Sequence, residues 1–274
     1  MRNSKLILSA AVVIGGIAGI GAASAADLPA RTYSKAPAMV AAAPYNWSGC
    51  YVGGFVGGST PARDWRSTDL GSIGQGGTFV VYNTVGTNPW DYGQSSSVIG
   101  GGTLGCNWQG AGSPFVLGIE GEAGYMHMTG TRLQPFSGDV FGNSKTGDWY
   151  GVIAGRAGWA VDRALFYVKG GAAFYNTSAS VIDTVNTGGS DTVTATGSKS
   201  HVTYAIGGGI EYAFANNWTV KGEYLYLGRG DSYNACGIDV NVTQNFCWRQ
   251  DPTGVHTAKI GINYNFNSPV VARY

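Results

Sequence analysis

A chain of 274 residues with only 12% charged side chains, against roughly 25% in an average soluble domain, and with 45 Gly, 16 Tyr and 8 Trp, is a poor match to a cytosolic globule. Its formal charge of +1 gives no electrostatic reason to expect a nucleic-acid partner.

Residues 1–25 have the layout of a secretion signal: Arg2 and Lys5 are a positive start, Leu6 to Ile20 is apolar, and Ala23-Ser24-Ala25 fits the small-residue cleavage rule, with cleavage after Ala25 or Ala26. The apolar run is shorter than the roughly 20 residues that span a bilayer, which disfavours a membrane anchor. Removing Arg2 and Lys5 leaves 15 basic residues against 16 acidic ones, a net −1. Residues 26–44, with Pro29, Pro37 and Pro44, read as an Ala/Pro-rich periplasmic leader. One domain remains, 45–266, followed by a C-terminal extension, 267–274.

Within that domain, alternation of apolar with small or polar residues predicts eight strands: Gly49 to Ser59, Ser96 to Gln109, Phe115 to Met126, Trp149 to Val161, Leu165 to Asn176, Val202 to Phe214, Trp218 to Gly228, and His256 to Phe266. The links at 110–114, 162–164 and 215–217 are short. Those at 60–95, 127–148, 177–201 and 229–255 are long, rich in Gly, Ser, Thr and Asn, and are expected to be loops. Short turns on one side and long loops on the other predict an all-β fold, an eight-stranded antiparallel up-and-down transmembrane β-barrel.

Charge placement agrees. If Leu117, Ile119, Ile153, Trp159, Val168, Phe174, Ile206, Ile210, Tyr212, Val220, Tyr224 and Ile260 face lipid, then Glu120, Glu122, Arg156, Lys169, Glu211, Lys221, Glu223 and Lys259 all face the lumen. An eight-stranded lumen has room for side chains and hardly for a channel. Four carboxylates and four cations there are expected to form a plug of mutual ion pairs; a proton relay or ion path is the competing reading. Trp47, Trp108, Trp149, Trp159, Trp218 and Phe266, near strand ends, are expected at the membrane interfaces. Trp65, Trp90 and Trp248 fall in the long links, where contact with a ligand or partner is the sharper expectation.

Four cysteines in an exported chain are expected to be oxidised. Cys236 and Cys247 share one long link, and Cys50 and Cys106 lie at the same end of neighbouring strands, so these two pairings are allowed; other connectivities stay open. No CxxC or HxxxH spacing points to a metal. His127, His201 and His256 fall at outer strand ends or loop edges and are candidate ligand-binding residues. Gly100 to Gly105 matches a dinucleotide fingerprint in letters alone, because Cys106-Asn107-Trp108 continues a strand and not a helix. No nucleophile, base and orienting acid can be assembled, so an enzyme is not expected.

The last strand, with Lys259, Gly261, Tyr264 and Phe266, resembles the C-terminal assembly signal of bacterial outer-membrane barrels. Together with Trp47 to Gly54, Gly105 to Gln109, Gly118 to Glu122, Gly155 to Trp159, Tyr167 to Gly171, Gly209 to Phe214 and Lys221 to Tyr226, it makes the chain similar to the alphaproteobacterial outer-membrane immunogenic protein family, small porin-like barrels with the architecture of the OmpA transmembrane domain. Cys50 and Cys106 stand where that family usually has aromatics. The resemblance implies a cofactor-free, non-enzymatic surface barrel in the outer membrane that supports envelope integrity and displays antigenic loops, at most a minor pore. Its implied partners are outer-membrane lipid and lipopolysaccharide, the barrel-assembly machinery, and a host or haemin ligand. A haemin-binding or host-interaction receptor is the second reading. A lipid-modifying barrel enzyme, for which His127 is the one vague candidate, is the third.

Overall fold

The computed structural model describes residues 45–73, 79–80, 89–135, 140–184, 192–239 and 244–266; the expected signal (1–25), leader (26–44) and extension (267–274) lie outside them. The regular structure is β1 (Gly49–Pro61), β2 (Trp65–Ile73), β3 (Phe79–Val80), β4 (Trp90–Tyr92), β5 (Ser97–Gln109), β6 (Phe115–Leu133), β7 (Val140–Val161), β8 (Ala164–Thr184), β9 (Thr192–Ala213), β10 (Trp218–Leu227), β11 (Tyr233–Asp239), β12 (Gln244–Asp251) and β13 (Val255–Asn265). No helix among the described residues is long and apolar enough to cross a membrane.

Eight strands, in the order β1, β5, β6, β7, β8, β9, β10 and β13, pair antiparallel and close into a ring through β13 and β1. Registered partners traced once around it run from Tyr51 through Gly105, Glu120, Ala154, Gly171, Ala205, Leu227 and Val255. The path returns to β1 at Pro61, ten residues beyond its start. A shear of this size with eight strands fixes a strand tilt of about 40°, which leaves an interior just wide enough for side chains. Gly100 to Gly105 lies wholly within β5, so the dinucleotide-like letters form no phosphate loop.

Parity sorts the residues. The outward face carries the large exposed apolar side chains, among them Leu117, Ile119, Ile153, Val168, Ile206 and Ile260. Aromatic rings bound it above and below: Phe115 and Tyr125 stand ten residues apart on β6, Trp149 and Trp159 ten apart on β7. At about 40° of tilt, ten residues rise about 25 Å, the height of the apolar band of an outer-membrane barrel. Trp108, Trp149, Trp159, Trp218 and Phe266 all project from this band.

Trp47 does not. It is 3% exposed and packs with Val116, Leu165, Tyr167 and Ala213 across the short-turn mouth of the barrel. Its backbone N–H donates to the Gln109 side chain at 2.8 Å, so the segment before β1 is folded under the barrel as a stopper.

The long links also differ from the expected loops. Residues 127–133 extend β6, 140–148 extend β7, and 177–184 and 192–201 extend β8 and β9, while the remaining two links contain β2, β3, β4, β11 and β12. Their Thr, Ser and Asn content suggests turns in isolation, but each segment continues or joins a ladder that the membrane strands have already nucleated. β9 forks: its second half pairs with β10, and its first half meets β11, which pairs β12, which pairs β2. β4 pairs β2 and approaches β6, where Ser95 N donates to Thr129 O at 2.8 Å. The result is a second storey above the membrane band. Trp65, Trp90 and Trp248, expected to be available for ligands, instead point inward and form its core with Tyr92, Ala179, Val140, Val181 and Ala195.

Candidate functional site

All eight charged residues predicted to face the lumen are buried in it. Alternation puts Glu120 and Glu122 together on β6, and Lys221 and Glu223 together on β10; Arg156, Lys169, Glu211 and Lys259 enter from β7, β8, β9 and β13. Lys169 is the hub. Its Nζ donates to Glu120 at 2.6 Å, Glu122 at 3.1 Å and Glu223 at 3.0 Å. Lys221 reaches Glu120 at 3.1 Å, and Lys259 bonds both Glu122 and, at 3.0 Å, Glu223. Arg156 is tied to Glu211 at 2.7 Å and to Glu120 at 3.5 Å, not to Glu122.

Neutral residues complete the network. The hydroxyls of Tyr51, Tyr150 and Tyr167 donate to Glu120 at 2.5 Å, Glu122 at 2.7 Å and Glu223 at 2.8 Å. Glu211 accepts from Thr219 and from Asn263 at 2.8 Å. The Arg156 guanidinium lies over the Tyr167 ring, 4.0 Å from its centroid. Every carboxylate thus has at least one cation and one neutral donor, the condition under which charges persist in a low-dielectric interior. These tyrosines were not singled out from sequence, although their inward parity with the charged residues is the signal that finds them. Gly118 supplies space: a Cβ there would come within 2.3 Å of Asn107 Oδ1 and 3.0 Å of Arg156 Cγ.

The carboxylates of Glu120, Glu122 and Glu223 converge closely enough to hold a metal ion. The Lys169 ammonium already bonds all three, so the position between them is taken by the chain's own cation. Four positive and four negative groups balance. Chemically, the arrangement fills this level of the lumen with fixed, mutually neutralised charge.

The three histidines do not converge. His201 points inward in the upper storey, with Nε2 2.7 Å from Thr177 Oγ1, and burial followed by the Lys199 charge lowers its pKa below the ordinary imidazole value. His127 and His256 lie on the outward face, on strands separated by β1 and β5. His127 Nδ1 lies 2.8 Å from Asp148 Oδ1, beside the β7 bulge where Asp148 has φ 73°, and His256 Nδ1 lies 2.6 Å from Tyr224 OH. Rings on opposite faces and distant strands cannot share one planar ligand.

Both allowed disulfides are formed, Cys50 with Cys106 across β1 and β5, and Cys236 with Cys247 across the β11–β12 hairpin. In β13, Lys259 and Gly261 face inward. Tyr264 and Phe266 face outward at the short-turn end, their ring centroids 5.5 Å apart.

Residues 34–266 match the outer membrane protein beta-barrel domain. The chain is 30% identical over 266 residues to the 31 kDa outer-membrane immunogenic protein of Brucella melitensis, covering 93% of this chain and 99% of that protein. It is 29% identical over 208 residues to the 22 kDa outer membrane protein of Rhizobium leguminosarum, covering 75% of this chain and 80% of the relative. Among solved structures, OprG from Pseudomonas aeruginosa superposes with a TM-score of 0.48 at 10% identity, covering 81% of this chain and 98% of that one.

Proposed function

The chain belongs to the outer membrane protein β-barrel family and is an outer-membrane protein, and from that premise we propose that it is a closed, non-enzymatic wall element of the envelope that holds a folded upper storey above the membrane. The observation that carries this reading is the filled lumen. Four carboxylates and four cations, each no more than 6% exposed, occupy the space that a solute would need. A surface-antigen role is part of the proposal. It is supported by the upper storey, which raises strands well beyond the band that lipid covers, and by the name of the Brucella relative, an immunogenic protein.

Planar-bilayer recording of the refolded full chain tests the closed wall. Little or no steady conductance is expected, and a large, stable ohmic channel from monomeric protein would reject it. Antibody binding to intact cells, with the upper storey cut or masked as a control, tests display.

A further inference from the structure

Where the membrane band ends, the outer side of the wall has a cavity of about 540 Å³ whose lining is almost entirely ionic. Arg63 in the β1–β2 link, Arg66 on β2, Arg229 after β10 and Arg249 on β12 line it, with Asp64, Asp91 and Asp251 as counter-charges. A fifth guanidinium adjoins it, since Arg132 Nη1 donates to the Asp91 carbonyl at 3.0 Å.

The aspartates do not neutralise this cluster. Asp91 is engaged by Arg66 in a two-pronged contact at 2.7 and 3.0 Å, and this bond holds its carboxyl below the ordinary carboxylate range. Asp251 meets Arg249 at 3.4 Å, and Asp231, close in sequence to Arg229, is faced by Lys199 at 3.5 Å. Among the described residues, Arg63 and Arg229 have no carboxylate within ion-pair distance, and the only acidic lining residue left over is Asp64. Planar guanidinium forks gathered with surplus charge favour a ligand with several phosphate oxygens.

Position narrows the ligand further. Alternation turns Arg66, Asp91, Arg249 and Asp251 away from the lumen, because their neighbours Trp65, Trp90, Tyr92, Trp248 and Gln250 are the buried ones. Directly beneath, on the same outward face, Tyr204, Tyr226 and His256 form an aromatic cluster with centroids 5.1 to 6.0 Å apart, and Val56, Ile206 and Ile260 continue it downward as exposed apolar surface. Arg229 lies three residues above Tyr226, roughly 7 to 10 Å higher. An aromatic ring at this level marks the boundary between acyl chains and headgroups.

We propose that this arginine cavity binds the phosphorylated saccharide headgroup of an outer-leaflet glycolipid, whose acyl chains lie along the apolar wall below. The proposal rests on the wall reading above, because the cavity meets headgroups only if lipid covers the band. It adds a specific site to a general membrane environment and uses none of the lumenal residues.

The test uses the full chain refolded in non-ionic detergent, with heat-modifiable gel mobility as the check on folding. Binding of bisphosphorylated lipid A, chemically dephosphorylated lipid A and inorganic pyrophosphate is measured by native mass spectrometry and competition. Wild type is expected to retain bisphosphorylated lipid A at least tenfold more tightly than the dephosphorylated form, and millimolar pyrophosphate should compete poorly. Arg63→Gln with Arg229→Gln should erase that preference, whereas Asp64→Asn, which removes an opposing charge, should tighten binding severalfold. Equal retention of both lipids, or a preference untouched by the double variant, overturns the site. Pyrophosphate binding as tight as lipid A overturns the lipid as its source. Conductance recorded on the same samples reports on the closed wall separately, so failure of one reading is distinguishable from failure of the other.

Discussion

Replacing Lys169 by Met keeps the length of the side chain and removes the charge that holds three carboxylates together. In the native lumen its ammonium donates to Glu120, Glu122 and Glu223 at 2.6, 3.1 and 3.0 Å. Removing one partner of a buried ion pair costs about 3 to 5 kcal/mol, because the group left behind is desolvated without compensation. Here the loss belongs at the low end. Glu120 keeps Lys221 and Arg156, while Glu122 and Glu223 keep Lys259 and a tyrosine hydroxyl each. Against a net stability on the order of 5 to 15 kcal/mol, a loss of about 3 kcal/mol is a large share, and with a urea slope of about 1 to 3 kcal/mol/M it moves the unfolding midpoint by roughly 1 to 3 M. Tryptophan fluorescence and heat-modifiable gel mobility across a urea series, in detergent, read that midpoint. Adding Glu223→Gln to Lys169→Met restores three carboxylates to three cations and should recover part of the loss. Two results would refute the plug: a Lys169→Met protein that unfolds at the wild-type midpoint, or a double variant no more stable than the single one.

Arg156→Ala strips Glu211 and Glu120 of a cation and should cost about 3 to 5 kcal/mol; combined with Lys169→Met, the losses should be non-additive because both act on Glu120, and a double-mutant cycle checks this. Reducing the Cys236–Cys247 bridge should speed protease cleavage between Arg229 and Val255 while leaving the eight-strand ring intact, since the bridge clamps a hairpin that sits between β9 and β2 outside that ring. A non-reduced peptide digest should recover the two native pairs, and Cys236 joined to Cys50 or Cys106 would contradict the hairpin. Haemin titration should give no bis-histidine Soret signature, because His201 faces the lumen and His127 and His256 lie on separate outward-facing strands; a bis-histidine spectrum lost on removing all three would overturn this placement. For His201, a folded-state pKa below the unfolded value means that its neutral form favours folding above about pH 6.5 and that this contribution is lost as pH falls below it. Amide protection in β8 and β9, relative to the intrinsic exchange rate at each pH, should therefore fall on acidification, and His201→Asn should flatten the response.

Period-two alternation needs no tertiary information, because a strand's side chains must divide between two faces. It was enough to separate Leu117, Ile119 and Ile153 from Glu120, Glu122 and Arg156, to give the eight membrane strands to within a few residues at the short-turn end, and to allow both cysteine pairings. The partners inside the lumen were a different matter. Glu120, Glu122 and Arg156 share a face, yet only the ten-residue shear of the closed ring sets their heights, bringing Arg156 to Glu211 and Glu120 and placing Lys169 between three glutamates. Closure also decided the fate of the long links. In isolation the Thr, Ser and Asn segments 177–184 and 192–201 carry turn-forming composition, but strands already aligned by the barrel offer them edges to pair with, and tertiary pairing outweighs local propensity. The same pairing turned Trp65, Trp90 and Trp248 inward and folded Trp47 beneath the barrel mouth. Residue type told where water and lipid would lie, while position around a closed, tilted ring determined which charges meet.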